Sequence, residues 1–170
     1  MAKDADTLSP ALPDDVERSA RDLLKAASDK ELSLCTAESC TGGLLASLLT
    51  DVSGHSHVFE RGFVTYSDAA KCDLLGLVQK RIDACGAVSR EVAIAMAEGA
   101  LERSGADIAA SLTGFAGPAG DDDEEGLVHI AVARKGGETT HREEHFGPNG
   151  RGPIRIASIR SALAMMRDAV

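Results

Sequence analysis

The segment Thr36-Ala37-Glu38-Ser39-Cys40-Thr41-Gly42-Gly43 concentrates more reactive chemistry than any other stretch of this 170-residue chain. It sets hydroxyls and a thiol beside a carboxylate, where an apolar strand-like run gives way to an apolar helix-like run. Glycines at such a junction let backbone N–H groups approach a ligand closely. The helix that follows offers unpaired donors and partial positive charge to an anion or an oxyanion. Ser39 is therefore a candidate nucleophile, with Glu38, Thr41, Gly42 and Gly43 as candidate binding groups around it. A serine at this place can also simply cap the helix. A second loop, Thr113-Gly114-Phe115-Ala116-Gly117-Pro118-Ala119-Gly120, leaves another apolar run, and Thr113, Gly114 and Gly117 are its candidate binding residues.

Other chemistries fit less well. Gly114, Gly117 and Gly120 give GxxGxxG rather than GxGxxG, and no GxxxxGK[ST] is present, so neither a dinucleotide fold nor a P-loop is indicated. His55 and His57 fall in a polar loop, and His141 and His145 share one strand face without a convincing third ligand. The run Asp121-Asp122-Asp123-Glu124-Glu125 reads as a solvated loop. No metal and no cofactor are expected.

Composition bounds the partners. A formal charge of −9 argues against a nucleic-acid backbone, which basic faces recognise. A small-molecule nucleotide stays open. No run approaches the ~20 apolar residues of a membrane-spanning helix, and the polar N-terminus lacks an apolar leader core, so no membrane association is expected. The four cysteines show no CxxC spacing and predict reduced thiols in a cytoplasmic protein. With 3% aromatics and no Trp, the core must be built from Ala, Leu, Val and Ile, which favours close helix-on-sheet packing. Apolar outer helices make a homo-oligomer plausible.

The elements that position these loops follow from periodicity. Residues 1–12 read as a flexible arm and 13–170 as one domain. A capping box at Asp14–Glu17 opens a helix over 14–29 with Val16, Ala20, Leu23, Leu24 and Ala27 inward. Strands are predicted at Leu32–Thr36, Arg61–Ser67, Asp107–Thr113, Leu127–Arg134 and Thr139–Phe146, the last two joined as a hairpin through Lys135-Gly136-Gly137-Glu138. Helices are predicted at Gly43–Asp51, at Asp68–Leu75 with Ser67 as its cap, from Ser89 to near Gly105, and over 151–168. Helices interleaved with strands imply a three-layer α/β/α sandwich with a mixed, mostly parallel sheet containing one antiparallel hairpin, whose ligands gather at the carboxyl ends of strands.

Five blocks, residues 36–43, 59–67, Ala70-Lys71, Gly86-Ala87-Val88-Ser89 and 111–118, together resemble the CinA C-terminal domain family, the nicotinamide-nucleotide amidases (PncC). The resemblance implies hydrolysis of the carboxamide of nicotinamide mononucleotide to nicotinate mononucleotide and ammonia. It places the nucleophile on Ser39, a lysine base on Lys71, an assisting tyrosine on Tyr66, whose hydroxyl would relay a proton or orient the serine, and a phosphate-binding arginine on Arg155. A lysine serves as base only where its surroundings disfavour the ammonium, and activity should then rise as that ammonium deprotonates. Backbone N–H groups over Thr41 to Gly43 are candidate oxyanion donors. The stretch from Ala119 to Gly126 departs from the family, being shorter and acidic where relatives carry lysine and proline. Two other readings are a non-catalytic nucleotide-binding or regulatory module in the same pocket, and a cysteine hydrolase through Cys40.

Overall fold

The computed structural model describes residues 12–170. The arm expected over 1–12 lies outside them except at Leu12, which packs against the core. Helices and strands follow one another as α1 (Asp14–Asp29), β1 (Leu34–Glu38), α2 (Leu44–Asp51), β2 (Phe59–Val64), α3 (Asp68–Leu75), α4 (Gln79–Cys85), α5 (Arg90–Ser104), β3 (Ile108–Gly114), β4 (Leu127–Arg134), β5 (Thr140–His145) and α6 (Arg151–Ala169). The strands make one five-stranded sheet in the order β2-β1-β3-β4-β5. β1 runs parallel to both β2 and β3. β4 runs antiparallel to β3 and β5, so antiparallel pairing extends one strand beyond the hairpin.

Period-two alternation divides the strands between two cores. Leu34, Ile108, Ala110, Leu112, Val128, Ile130 and Val132 face the layer of α1, α2 and α6. Cys35, Ala37 and Ala109 face the layer of α3, α4 and α5. On that second face Ala131 and Ala133 meet Ala93 and Ala97 of α5, small side chain against small side chain. The resulting close approach lets Ser111 Oγ donate to the Ala93 carbonyl at 2.6 Å. Gly99 is required in α5, because a Cβ there would stand 2.2 Å from the Leu75 carbonyl of α3.

Some boundaries differ from the sequence expectation, each for a tertiary reason. β1 lies two residues later than predicted because its ladder with β3 continues to the pair Glu38–Leu112. β2 begins earlier because Phe59 pairs with Leu34. α4 was unforeseen: it buries only Ile82 and so carries little periodicity. The capping box at Asp14–Glu17 does not form. Pro13 takes the N-cap position of α1 with no side-chain cap, and Asp15 instead accepts from Arg160 of α6. Ser67 does cap α3, accepting from the Ala70 N–H at 3.1 Å.

Candidate active site

Ser39 immediately follows β1, Tyr66 lies just beyond β2, and Thr113 and Gly114 end β3, so the carboxyl ends of all three parallel strands converge on one cleft. Its volume is about 290 Å³, with Ser39, Tyr66, Asp68 and Lys71 lining one part and the Thr113–Pro118 loop and Arg151 another. A larger groove of about 440 Å³, between α1 and α6, is lined by Asp22, Lys25, Arg160 and Arg167 and holds none of these reactive groups.

The floor of the cleft joins a serine to a lysine. The Ser39 N–H donates to the Leu112 carbonyl at 2.9 Å, which fixes the residue against β3. Lys71, in the first turn of α3, is only 1% exposed. Its Nζ lies 3.4 Å from Ser39 Oγ, 3.4 Å from the Tyr66 carbonyl oxygen and 3.6 Å from Asp68 Oδ1. A buried amine needs such polar neighbours, since without them its desolvation would go uncompensated. Tyr66 thus meets Lys71 through its backbone carbonyl rather than its hydroxyl. Its side chain lines the cleft and is 69% exposed.

The loop beside Ser39 is organised from within by Glu38. This fully buried carboxylate accepts from Thr41 Oγ1 at 2.7 Å, from the N–H groups of Gly43, Leu45 and Ala46 at 3.1, 3.0 and 2.8 Å, and from Thr36 Oγ1 at 3.3 Å. Gly43, the N-cap of α2, has no side chain to offer, and Glu38 supplies the cap in its place. This corrects the expectation that Glu38, Thr41 and Gly43 face a ligand: all three are occupied inside the fold. The Gly42 N–H donates to the Ser39 carbonyl at 3.1 Å, so the N–H groups of Gly42 and Gly43 are not free to meet an oxyanion. Gly42 and Gly43 are needed for their backbone, with φ of +62° and +94°.

Across the cleft, Thr113 Oγ1 donates to the Ala87 carbonyl at 2.8 Å, tying the end of β3 to the start of α5. Gly114 admits no side chain, because a Cβ would lie 2.7 Å from the Leu127 carbonyl. Gly117 offers its carbonyl to Arg151. The arginine in the cleft is Arg151, the first residue of α6, and this also corrects the sequence reading. Arg155, one turn further along, directs its guanidinium to the Thr41 carbonyl beneath the Ser39 loop. Both sit on one face of α6 by their spacing of four, and the earlier position is the one that reaches the glycine-rich loop.

Cys40 also borders the cleft, yet burial, reinforced by the Glu38 charge, pushes its thiol up to about 12. Such a thiol carries little thiolate near neutral pH, which argues against the cysteine-hydrolase reading. Among the described residues, no group of three or more His, Cys, Asp or Glu side chains is arranged to hold a metal ion. No described helix is long and apolar enough to cross a membrane.

Residues 16–170 match the family described as the CinA C-terminal domain. The chain is 49% identical over 144 residues to a CinA-like protein of Akkermansia muciniphila, covering 84% of this chain and 34% of that protein. It is 40% identical over 158 residues to a CinA-like protein of Leptospira borgpetersenii, covering 92% of this chain and 37% of the other. The chain thus spans roughly a third of the length of these curated relatives. Its structure superposes on the competence/damage inducible protein CihA of Agrobacterium tumefaciens with a TM-score of 0.89 at 44% identity, covering 93% of this chain and 97% of that one. A CinA superfamily protein of Escherichia coli gives a TM-score of 0.86 at 32% identity, covering 99% of both chains.

Proposed function

This chain belongs to the CinA C-terminal domain family, and on that premise we propose that it is a serine amidase that converts nicotinamide mononucleotide to nicotinate mononucleotide and ammonia. The observation that carries the reading is the buried Lys71 Nζ placed 3.4 Å from Ser39 Oγ on the floor of a cleft. Hydrogen bonds between nucleophile and base are commonly this long before substrate binds.

In the proposed reaction Lys71, as the free amine, takes the Ser39 hydroxyl proton while Oγ bonds to the carboxamide carbon. The carbonyl electron pair moves to oxygen, giving a tetrahedral oxyanion. Collapse of that species breaks the C–N bond, and the Lys71 ammonium hands its proton to the departing nitrogen as ammonia leaves. Water then gives a proton to the same amine as its oxygen bonds to the ester carbon; the C–Oγ bond breaks, Lys71 returns that proton to Ser39 Oγ, and the acid product ionises to the carboxylate. The Tyr66 carbonyl and Asp68 hold the amine in line throughout. Arg151 supplies a guanidinium for the substrate phosphate at the other end of the cleft.

Ammonia release from purified protein and nicotinamide mononucleotide tests this reading. Native protein and Cys40→Ala should turn over, and Ser39→Ala should not. Saturable binding without ammonia from the native protein would replace the amidase by a nucleotide-binding module.

A further inference from the structure

The loop that closes the cleft is anchored at its far end by a histidine with a specific protonation requirement. Between β3 and β4 the chain passes through Phe115–Pro118, which line the cleft, and then through the acidic run to Gly126. The base of the loop is tied by the Phe115 N–H to the Leu127 carbonyl at 2.9 Å and by the Gly126 N–H to the Phe115 carbonyl at 2.8 Å. Within it, Glu125 packs so closely on Gly117 that a Cβ there would lie 2.6 Å from its Oε1. Its neighbour Glu124 reaches out to β5, where its Oε1 lies 2.7 Å from His145 Nδ1.

His145 Nε2 in turn lies 3.0 Å from Glu143 Oε1. Both ring nitrogens therefore face carboxylate oxygens, which in this state can only accept. A neutral imidazole has one N–H and satisfies one of them; the imidazolium donates to both. The neighbouring pair has the opposite requirement. His129 Nδ1 and His141 Nε2 face each other at 3.1 Å, so one must donate and the other accept. Glu143 stands between the two arrangements, its Oε2 being 3.7 Å from His129 Nδ1. The charged groups facing His145 are Glu124 and Glu143, while His129 and His141 both feel Glu91 of α5, His141 also feels Arg90, and His129 feels His145 itself.

We propose that His145 is a positioning residue for the cleft: as an imidazolium it bridges Glu124 to Glu143, pins the acidic loop to β5, and so holds the Phe115–Pro118 wall in register with Ser39. The two carboxylates also hold its pKa above the ordinary histidine value of ~6.5. The bridge is accordingly intact below the ordinary histidine value and opens as pH rises past the elevated one. The acidic run thus has a purpose that solvation alone does not provide, since Glu124 is the loop's half of the bridge.

Amide hydrogen exchange over residues 119–126 of the full chain, normalised for intrinsic rate, tests the bridge at about pH 6 and about pH 8.5. Native protein should lose about threefold in protection at the higher pH, a size suited to an exposed ion pair. His145→Gln and Glu124→Gln should be poorly protected at both values, and His145→Arg protected at both. Unchanged exchange across pH and variants would overturn the bridge. The link to the cleft rests on the function proposed above and is read separately, from KM for nicotinamide mononucleotide or from Kd should there be no turnover. His145→Gln should raise it with kcat held, and His145→Arg should restore it. Altered exchange with unaltered KM or Kd would leave the bridge standing and overturn its positioning role.

Discussion

In the parallel half of the sheet, β2-β1-β3, Glu38 and Lys71 beside the strand ends are buried and held by fixed polar neighbours. Glu38 is fully buried among five donors, and Lys71 is buried among three oxygens. In the antiparallel half, β5 shows Glu143 and His145 at about half exposure, within reach of protons and salt. The first half fixes its polar groups in place, because a buried polar group left without a partner is costly. The second holds charges whose state follows the solvent. The proposed reacting groups sit in the first half and the proposed adjustable support in the second.

The sharpest way to break that division is at the serine–lysine pair. If the parallel half holds the chemistry, Ser39→Ala and Lys71→Met should each lower kcat by at least about 10⁴-fold. Urea denaturation should find Ser39→Ala as stable as native protein, which separates loss of chemistry from loss of fold. Retention of even a tenth of native activity in Ser39→Ala would move the nucleophile elsewhere.

Glu38 tests the architectural side of the same half. Glu38→Ala leaves buried N–H groups of Gly43, Leu45 and Ala46 without their acceptor and should cost about 3 kcal/mol in urea denaturation. A cost below about 1 kcal/mol would mean that the start of α2 finds other partners. Arg151 and Arg155 sharpen the comparison further. Arg151→Ala should raise KM about tenfold with little change in kcat, the expected loss of one charge-assisted contact. Arg155→Ala should act mainly on stability, through the loop carbonyl of Thr41 that it supports. Interchanged effects would restore Arg155 as the phosphate contact.

How far these features were legible in the sequence follows from the range of the forces involved. α1 was readable because its apolar face repeats at 3.6 residues, and the β4–β5 hairpin because Gly136 and Gly137 separate two strand-forming runs. The place of Ser39 and the glycine loops at strand ends was readable because local backbone chemistry marks them. The part of Glu38 was not, since a capping carboxylate that precedes its helix by a loop resembles an active-site acid until the register of β1 against β3 is known. Choosing Arg151 over Arg155 likewise needed the place where α6 begins relative to Gly117. The His129–His141 pair arises from antiparallel register alone, which local periodicity does not reveal.

That pair supplies the smallest and most diagnostic effect. Burial pushes both His129 and His141 below the ordinary histidine value; His129 lowers His141 further and His145 lowers His129, while Glu143 and Glu91 act the opposite way on both. A histidine whose folded pKa is depressed binds its proton more readily when unfolded. Its contribution to stability is therefore complete above the unfolded value of ~6.5 and is lost as pH falls through that value toward the folded one. His145, with a raised folded pKa, has the reverse sign: its contribution is present below ~6.5 and disappears as pH rises through the elevated value. The two sites on one strand pair thus oppose each other, and their combined effect is a stability maximum near neutrality. Urea midpoints across pH should show His141→Phe flattening only the acid limb and His145→Gln only the alkaline limb. If either variant flattened both limbs, Glu143 would be coupling the sites into a single titrating unit.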